Sequence, residues 1–449
     1  MASSLYREIS LHDSGLRPNR SHSLLPYHLP YSTKSPLAGG NTTVSGKSSI
    51  ALSEAFSAAS VLSPPRDGVC RLESTGLSRS NTHWVDRLAA WVLPFHPGAG
   101  LISVILLSTR GRRVIQGIRS QRQDLYIWAV LAVLGFASVL NGVNVSRGAL
   151  NWLVPFVFIW VYALGRWSIH DPEEFLRDLL RATGVLALVV VTARVFELEV
   201  SLGELTILDR FSGPNARGYV IGQGANGLAV VLEVGAVGGL ALMATARTRK
   251  ERLEGAIIGI LSLGAVLVTL SRGALVGIAA AALAGAALIN WRLLLWLGGV
   301  VAVAAVSSPI VRHRVASIAS ISANVQRLRI WEGTWRLIQD HPWLGVGPGN
   351  FGLVYPQYRL PAEYEHAMSP HNVYLNIISG WGIPAGIVLF GWIAWVMLRR
   401  LSRAMAPYQK AVFLILVAFW VHVFFDDLIT VQTGLLLGCL DREDSSQPA

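Results

Sequence analysis

About eleven apolar runs recur along this chain, most of them near the ~17–25 residues needed to cross ~30 Å of hydrocarbon. They fall at approximately 87–107, 125–141, 149–165, 183–197, 219–244, 254–270, 273–290, 293–311, 372–398, 411–425 and 428–440. Few soluble folds accommodate such a pattern. The chain is 52% hydrophobic and 14% charged, where a soluble protein carries about 25% charged residues. The predicted fold is all-α, a polytopic transmembrane helix bundle of about 10–12 spans, with one long external loop containing an amphipathic helix.

Charge placement supports the same reading. The net charge is +11, but Lys and Arg lie mostly between apolar runs, where they set topology. No nucleic-acid partner is expected. Arg110, Arg112, Arg113, Arg119 and Arg122 follow the first run, Arg247, Arg249, Lys250 and Arg252 the fifth, and Arg399, Arg400, Arg403 and Lys410 the ninth. All three loops fall on one side, read as the cytoplasm. The segments 141–148, 198–218 and 312–371 are then external. Residues 1–82 are Ser-, Pro- and Gly-rich and read as a disordered polar tail. The bundle is assigned to 83–441 and a short tail to 442–449. Pro94 and Pro97 make the first run either re-entrant or two short helices. Cys70 and Cys439 form neither a disulfide framework nor a metal site.

The long loop carries the chemistry, since loops of this length are uncommon unless functional. Within it, NVQRLRIWEGTWRLIQD reads as a helix with Leu328, Trp331, Trp335 and Ile338 on one stripe. That helix could lie flat on a membrane surface or simply cap the bundle. HPWLGVGPGNF follows. Its glycines permit turns and close backbone approach, and its N–H groups read either as an anion cradle or as a plain turn. Arg272 lies in VTLSRGALVG between two apolar runs with almost no loop. A charge at that depth persists where it has a partner or ligand, or where it snorkels at a tight turn.

His371 stands at the external end of a span, in EHAMSPHNVYLN. An imidazole near pKa ~6.5 suits a general base. A helix cap or interface residue is the plainer alternative. Glu363, Glu365, His366 and His371 are close in sequence but match no zinc spacing, so no metal and no cofactor are expected.

RFSG followed by GANGLA, then TLSRGALVG, RIW, HPWLGVGPGNF and SPHNVYLN with GWGIPAG resemble, in content and order, the O-antigen ligase and polymerase family of polytopic membrane proteins. The resemblance covers roughly residues 205–400. It implies a bacterial inner-membrane glycosyltransferase that moves glycan from a polyprenyl-diphosphate carrier to an acceptor hydroxyl on the external face, inverting and metal-independent. It implies His371 as the base and Arg210, Arg272 and Arg329 as the arginines on the diphosphate. Asn372 would orient the base or bind sugar, and Asn226 matches an Asn of the family. Glu363 and Glu365 are candidates for an assisting acid or sugar contacts. RFSGPNARGYVIGQGANGLA departs from the pattern by an extra arginine, Arg217, which could share or replace the role of Arg210. The acceptor, a lipid, a glycan or a protein, stays open, and with it ligase against polymerase. A multi-span transporter of a small anion or lipid-linked substrate is the competing class.

Overall fold

A computed structural model describes residues 77–202, 205–209, 211, 217–318, 320–361, 367–401 and 405–442. Among these lie seventeen α-helices and one small sheet. Backbone polar groups in hydrocarbon must be satisfied within the segment, which leaves helices as the economical solution for an apolar chain.

The first run is two helices, α1 (Leu77–Val92) and α2 (Pro97–Ser108). They are parted at Pro94–His96, and the His96 side chain accepts from the Gly98 N–H to cap α2. Helix α1 thus begins inside the stretch read as tail, and the rest of that stretch lies outside the described residues. The basic α3 (Gly111–Ser120) leads into α4 (Arg122–Asn141), α5 (Val145–Trp167) and α6 (Pro172–Val195). The segment read only as an external connection holds an antiparallel sheet, β1 (Val200–Leu202), β2 (Leu205–Asp209) and β3 (Tyr219–Val220), in that order. Then come α7 (Ala225–Thr245), α8 (Arg249–Thr269), α9 (Arg272–Leu288), α10 (Arg292–Ser307), α11 (Pro309–Ala316), α12 (Ile321–Asp340), α13 (Phe351–Val354), α14 (Val373–Trp381), α15 (Ile383–Leu401), α16 (Pro407–His422) and α17 (Val431–Leu440).

Among the described residues, five helices are long and apolar enough to cross a membrane: α4, α5, α7, α8 and α15. Shorter apolar helices lie in α2, α9, α16 and α17. Apolar runs in the sequence outnumber these long helices because the backbone breaks where composition does not. The run 372–398 divides at Gly382, which has φ +87°. The run 293–311 divides at Ser308, whose side chain caps α11. Helix α6 opens with PEEFLRDLLR, too charged for hydrocarbon.

Helix α7 is the centre of the bundle, with 83% of its span window buried. It lies so close to α8 that a Cβ at Gly239 would strike the backbone of Gly259 and Gly255. Small residues permit this approach where dispersion, rather than the hydrophobic effect, holds helices together.

The two ends of the bundle differ. At one end the basic loops are tied by ion pairs. Arg110 meets Asp86, Arg177 meets Glu251 at 2.8 Å, and Arg181 meets Glu254 at 2.6 Å. Buried Asp441 receives Arg166, Arg399 and Arg400. The segments assigned outside gather at the other end. Asn141 donates to the Gly345 carbonyl and Asn350 to that of Asn144. The Val373 N–H donates to the carbonyls of Val423 and Asp426.

Helix α12 exists as expected, but its buried face is not the predicted stripe. Ile330, Thr334, Leu337 and Ile338 are buried, whereas Leu328 and Trp335 are exposed. Gly333 sets the face, since a Cβ there would meet the Tyr358 carbonyl at 2.7 Å. Counting tryptophans as core residues missed this, because the small positions are where the helix docks.

Candidate functional site: an arginine cluster beside a His–Asp pair

The turn joining α8 to α9 organises the site. Leu270 ends α8 in the left-handed conformation, φ 53°. This leaves carbonyls at the negative end of the helix dipole. Arg217 Nε donates to the Thr269 carbonyl at 3.3 Å, and Arg314 Nε to that of Leu270 at 2.6 Å. Arg272, the first residue of α9, donates from Nη1 to the Ser317 carbonyl at 3.3 Å. Arg217 Nη2 also donates to Asn226 Oδ1 at 3.0 Å. A guanidinium carries five N–H donors in a fixed fork.

Four arginines, Arg217, Arg272, Arg314 and Arg327, act on one another here. Burial, then the charge of Arg327, lowers the Arg217 pKa, against which Asp426 pulls upward. Burial, followed by Arg217, Arg272 and Arg327, pushes Arg314 down to about 10. Like charges held together out of water are unfavourable. An anion between them relieves that cost and meets donors already in place.

His371 lies at the neighbouring turn, half-buried, with φ 49°. That region is uncommon for residues other than glycine. The turn is held by Trp331 of α12, whose Nε1 donates to the Pro370 carbonyl at 3.0 Å. The Trp331 ring also packs edge-on to Phe424 at 5.1 Å. Asn372 caps α14: its side chain accepts from the Leu375 N–H at 3.0 Å, and the residue is 1% exposed.

Asp427 and His371 interact electrostatically. Asn376 Nδ2 donates to Asp427 Oδ2 at 2.7 Å, and Ser369 bonds the same carboxylate. Burial raises the Asp427 pKa in spite of those bonds and the His371 charge. Asp426 Oδ1 accepts from the Asp427 N–H at 2.8 Å. The two neighbouring carboxylates line different cavities, Asp426 one of ≈ 570 Å³ with Arg217 and Asn226, Asp427 one of ≈ 270 Å³ with Asn376.

The sequence candidates separate into three groups. Arg217, Arg272 and Asn226 come together at the arginine cluster, and His371 with Asn372 forms the adjoining turn. Arg329 lies two residues beyond Arg327 on α12, about 200° further round a helix of 3.6 residues per turn. The charge that reaches the other three arginines from this helix is that of Arg327. Arg210, Glu363 and Glu365, with His366, lie outside the described residues.

The glycine-rich stretch is a turn. Val346 and Gly347 donate their N–H groups to the Ser379 and Gly380 carbonyls, Gly345 to His341 and Asn350 to Gly347. These donors are occupied by protein carbonyls, so the anion-cradle alternative does not hold there.

Sequence reasoning missed Arg314, Arg327 and Asp427. Asp426 and Asp427 interrupt two apolar runs with almost no loop, the same signal that singled out Arg272. It also overlooked Glu233, inside an apolar run, whose Oε1 stands 2.8 Å from His422 Nδ1 in the bundle interior.

These features define an all-α polytopic helical protein with a cationic polar site at one end of its bundle. Residues 257–390 match the family described as O-Antigen ligase. That stretch holds Arg272, Arg314, Arg327, Arg329, His371 and Asn372, while Arg217, Asn226, Asp426 and Asp427 lie outside it. The match supports a membrane glycosyltransferase of the O-antigen ligase or polymerase type in general. No curated protein matches the chain.

Proposed function

We propose that the protein transfers glycan from a polyprenyl-diphosphate carrier to an acceptor hydroxyl, at the external face of a bacterial inner membrane. The observation that carries this reading is the gathering of Arg217, Arg272, Arg314 and Arg327 at the α8–α9 turn, where Arg217 and Arg314 donate to its carbonyls. Bidentate guanidinium forks suit diphosphate oxygens. Charge that develops on the leaving diphosphate is stabilised by donors already oriented toward it.

The reaction is a single displacement. His371 takes the proton of the acceptor hydroxyl while its oxygen bonds to the anomeric carbon. The bond from that carbon to the diphosphate oxygen breaks, and the diphosphate leaves on its lipid with inversion. Asp427 orients the imidazole and stabilises it once protonated, a positioning role. Asn372 acts by holding the turn, as the cap of α14. Arg210 joins the diphosphate-binding set in this proposal. Arg329 is retained as a contact further along the carrier head group, and Glu363 and Glu365 as contacts to sugar.

The test is transfer from a purified lipid-linked glycan of the native cells, with EDTA present. Unaltered protein is expected to transfer and His371→Ala to lose at least ~10²-fold, the lower range for a general base, while keeping its elution profile. Normal transfer by His371→Ala would remove the base assignment. Accumulation of an anion in vesicles without any transfer would favour the transporter class.

A further inference from the structure

The cavity bounded by Arg217 and Asn226 has a second, differently built wall. Gln223 and Gln432 line it from opposite parts of the chain and are each 4% exposed. Gln223 Nε2 donates to the Pro94 carbonyl at 3.0 Å, and Gln432 Nε2 to that of Leu93 at 3.4 Å. Both amides are therefore oriented by one turn, between α1 and α2. Rotating either would set its oxygen against a carbonyl.

The same orientation leaves the amide oxygens unmatched. Among the described residues none donates to Gln223 Oε1, Gln432 Oε1 or Asp426 Oδ2, all three buried and all on side chains lining this cavity. A buried acceptor without a donor is unfavourable, and three around one cavity form a set. They call for a ligand rich in N–H or O–H donors. They disfavour a second phosphate, which brings only acceptors.

We infer that this cavity binds the sugar attached to the carrier diphosphate, through hydroxyl or acylamino groups that donate to Gln223, Gln432 and Asp426. The inference rests on the diphosphate reading above. The sugar next to the diphosphate lies one bond from the phosphate that Arg217 would hold, and Arg217 lines the same cavity. Asp426 then faces the donor sugar while its neighbour Asp427 interacts with His371. Sugar recognition and base positioning are thus carried by adjacent residues of one turn. Space is available: a Cβ at Gly224 or Gly227 meets nothing within 4 Å, and both line the cavity.

The experiment uses the full chain in detergent and two probes. One is the lipid-linked glycan extracted from the native cells, the other the same polyprenyl diphosphate without glycan. Unaltered protein should bind the glycan-bearing lipid at least ~10-fold more tightly. Gln223→Leu and Gln432→Leu should each remove most of that preference and leave affinity for the bare lipid unchanged. Gly227→Leu, whose Cβ meets nothing within 4 Å, should do the same by filling the cavity. Arg217→Ala should weaken both probes. Equal affinity of the unaltered protein for the two lipids overturns the sugar assignment, as does a preference that survives all three leucine variants. Bare lipid that fails to bind the unaltered protein, or that binds Arg217→Ala as well, overturns the diphosphate reading instead.

Discussion

Replacing Arg314 by Gln separates a stabilising arginine from one held for its ligand. Burial and the neighbouring arginines lower its pKa to about 10, which at ~1.36 kcal/mol per pH unit is about 3 kcal/mol against the charged form. Arg314 is partly exposed, so screening reduces this to roughly 1–2 kcal/mol. The variant recovers that amount. It loses the bond to the Leu270 carbonyl, a charged hydrogen bond of about 1.5–3 kcal/mol. The two nearly cancel, and thermal unfolding in detergent should place the variant within about 1–2 kcal/mol of the unaltered protein. Binding should respond quite differently. One lost guanidinium–phosphate contact of about 1.5–3 kcal/mol weakens the polyprenyl diphosphate by about 10–100-fold. A variant destabilised by more than ~4 kcal/mol with donor affinity intact would make Arg314 a structural cap and refute the argument.

Three further outcomes are expected. Asp427→Asn should lower kcat for transfer by about 10–100-fold with little change in donor affinity, and equal loss in both would place Asp427 on the donor. The Asp427 pKa is raised on folding, so between its ordinary and raised values the folded chain holds more protons than the unfolded one. Stability therefore falls as pH rises through that window, and Asp427→Asn should flatten this slope in melts across pH. Asn372→Ala should cost about 1 kcal/mol of stability through loss of the α14 cap and reduce transfer, with both restored by Asn372→Ser. Rescue of stability without rescue of transfer would mean that Asn372 touches substrate. Gly382→Ala should destabilise the protein by more than about 3 kcal/mol, seen as a sharp fall in melting temperature, since φ is +87° and a Cβ would collide with the Trp343 carbonyl. An unchanged melting curve would contradict that packing.

The helical bundle and the grouping of loops at its two ends were legible because hydrocarbon imposes its requirement on every residue of a run. Helix breaks were less legible, since they depend on local backbone states such as that of Gly382. His371, Arg272 and Arg217 stood out as charged or titratable groups beside apolar runs. Asp427 and Arg314 did not. Asp427 is brought to His371 by the pairing of Val373 with Val423 and Asp426, and Arg314 reaches the α8–α9 turn from a helix 44 residues further on. No local pattern encodes those meetings. The Trp331 stripe misled because docking followed Gly333 and Thr334, whose smallness matters only opposite a specific neighbour.

The site is divided in chain order as well as in space. Its four clustered arginines come from residues 217–327, whereas Asp426, Asp427 and Gln432 arrive with α16 and α17. Helix α17 is seated against α5, made long before it, where a Cβ at Gly165 or Gly438 would strike the opposite backbone. During synthesis these arginines are therefore made before the carboxylates and the second amide. In the proposed reaction, a chain that ends before α16 has the arginines for the carrier diphosphate but not the carboxylates that meet the sugar and position the base. On that reading, such a truncated product is expected to bind carrier without consuming it.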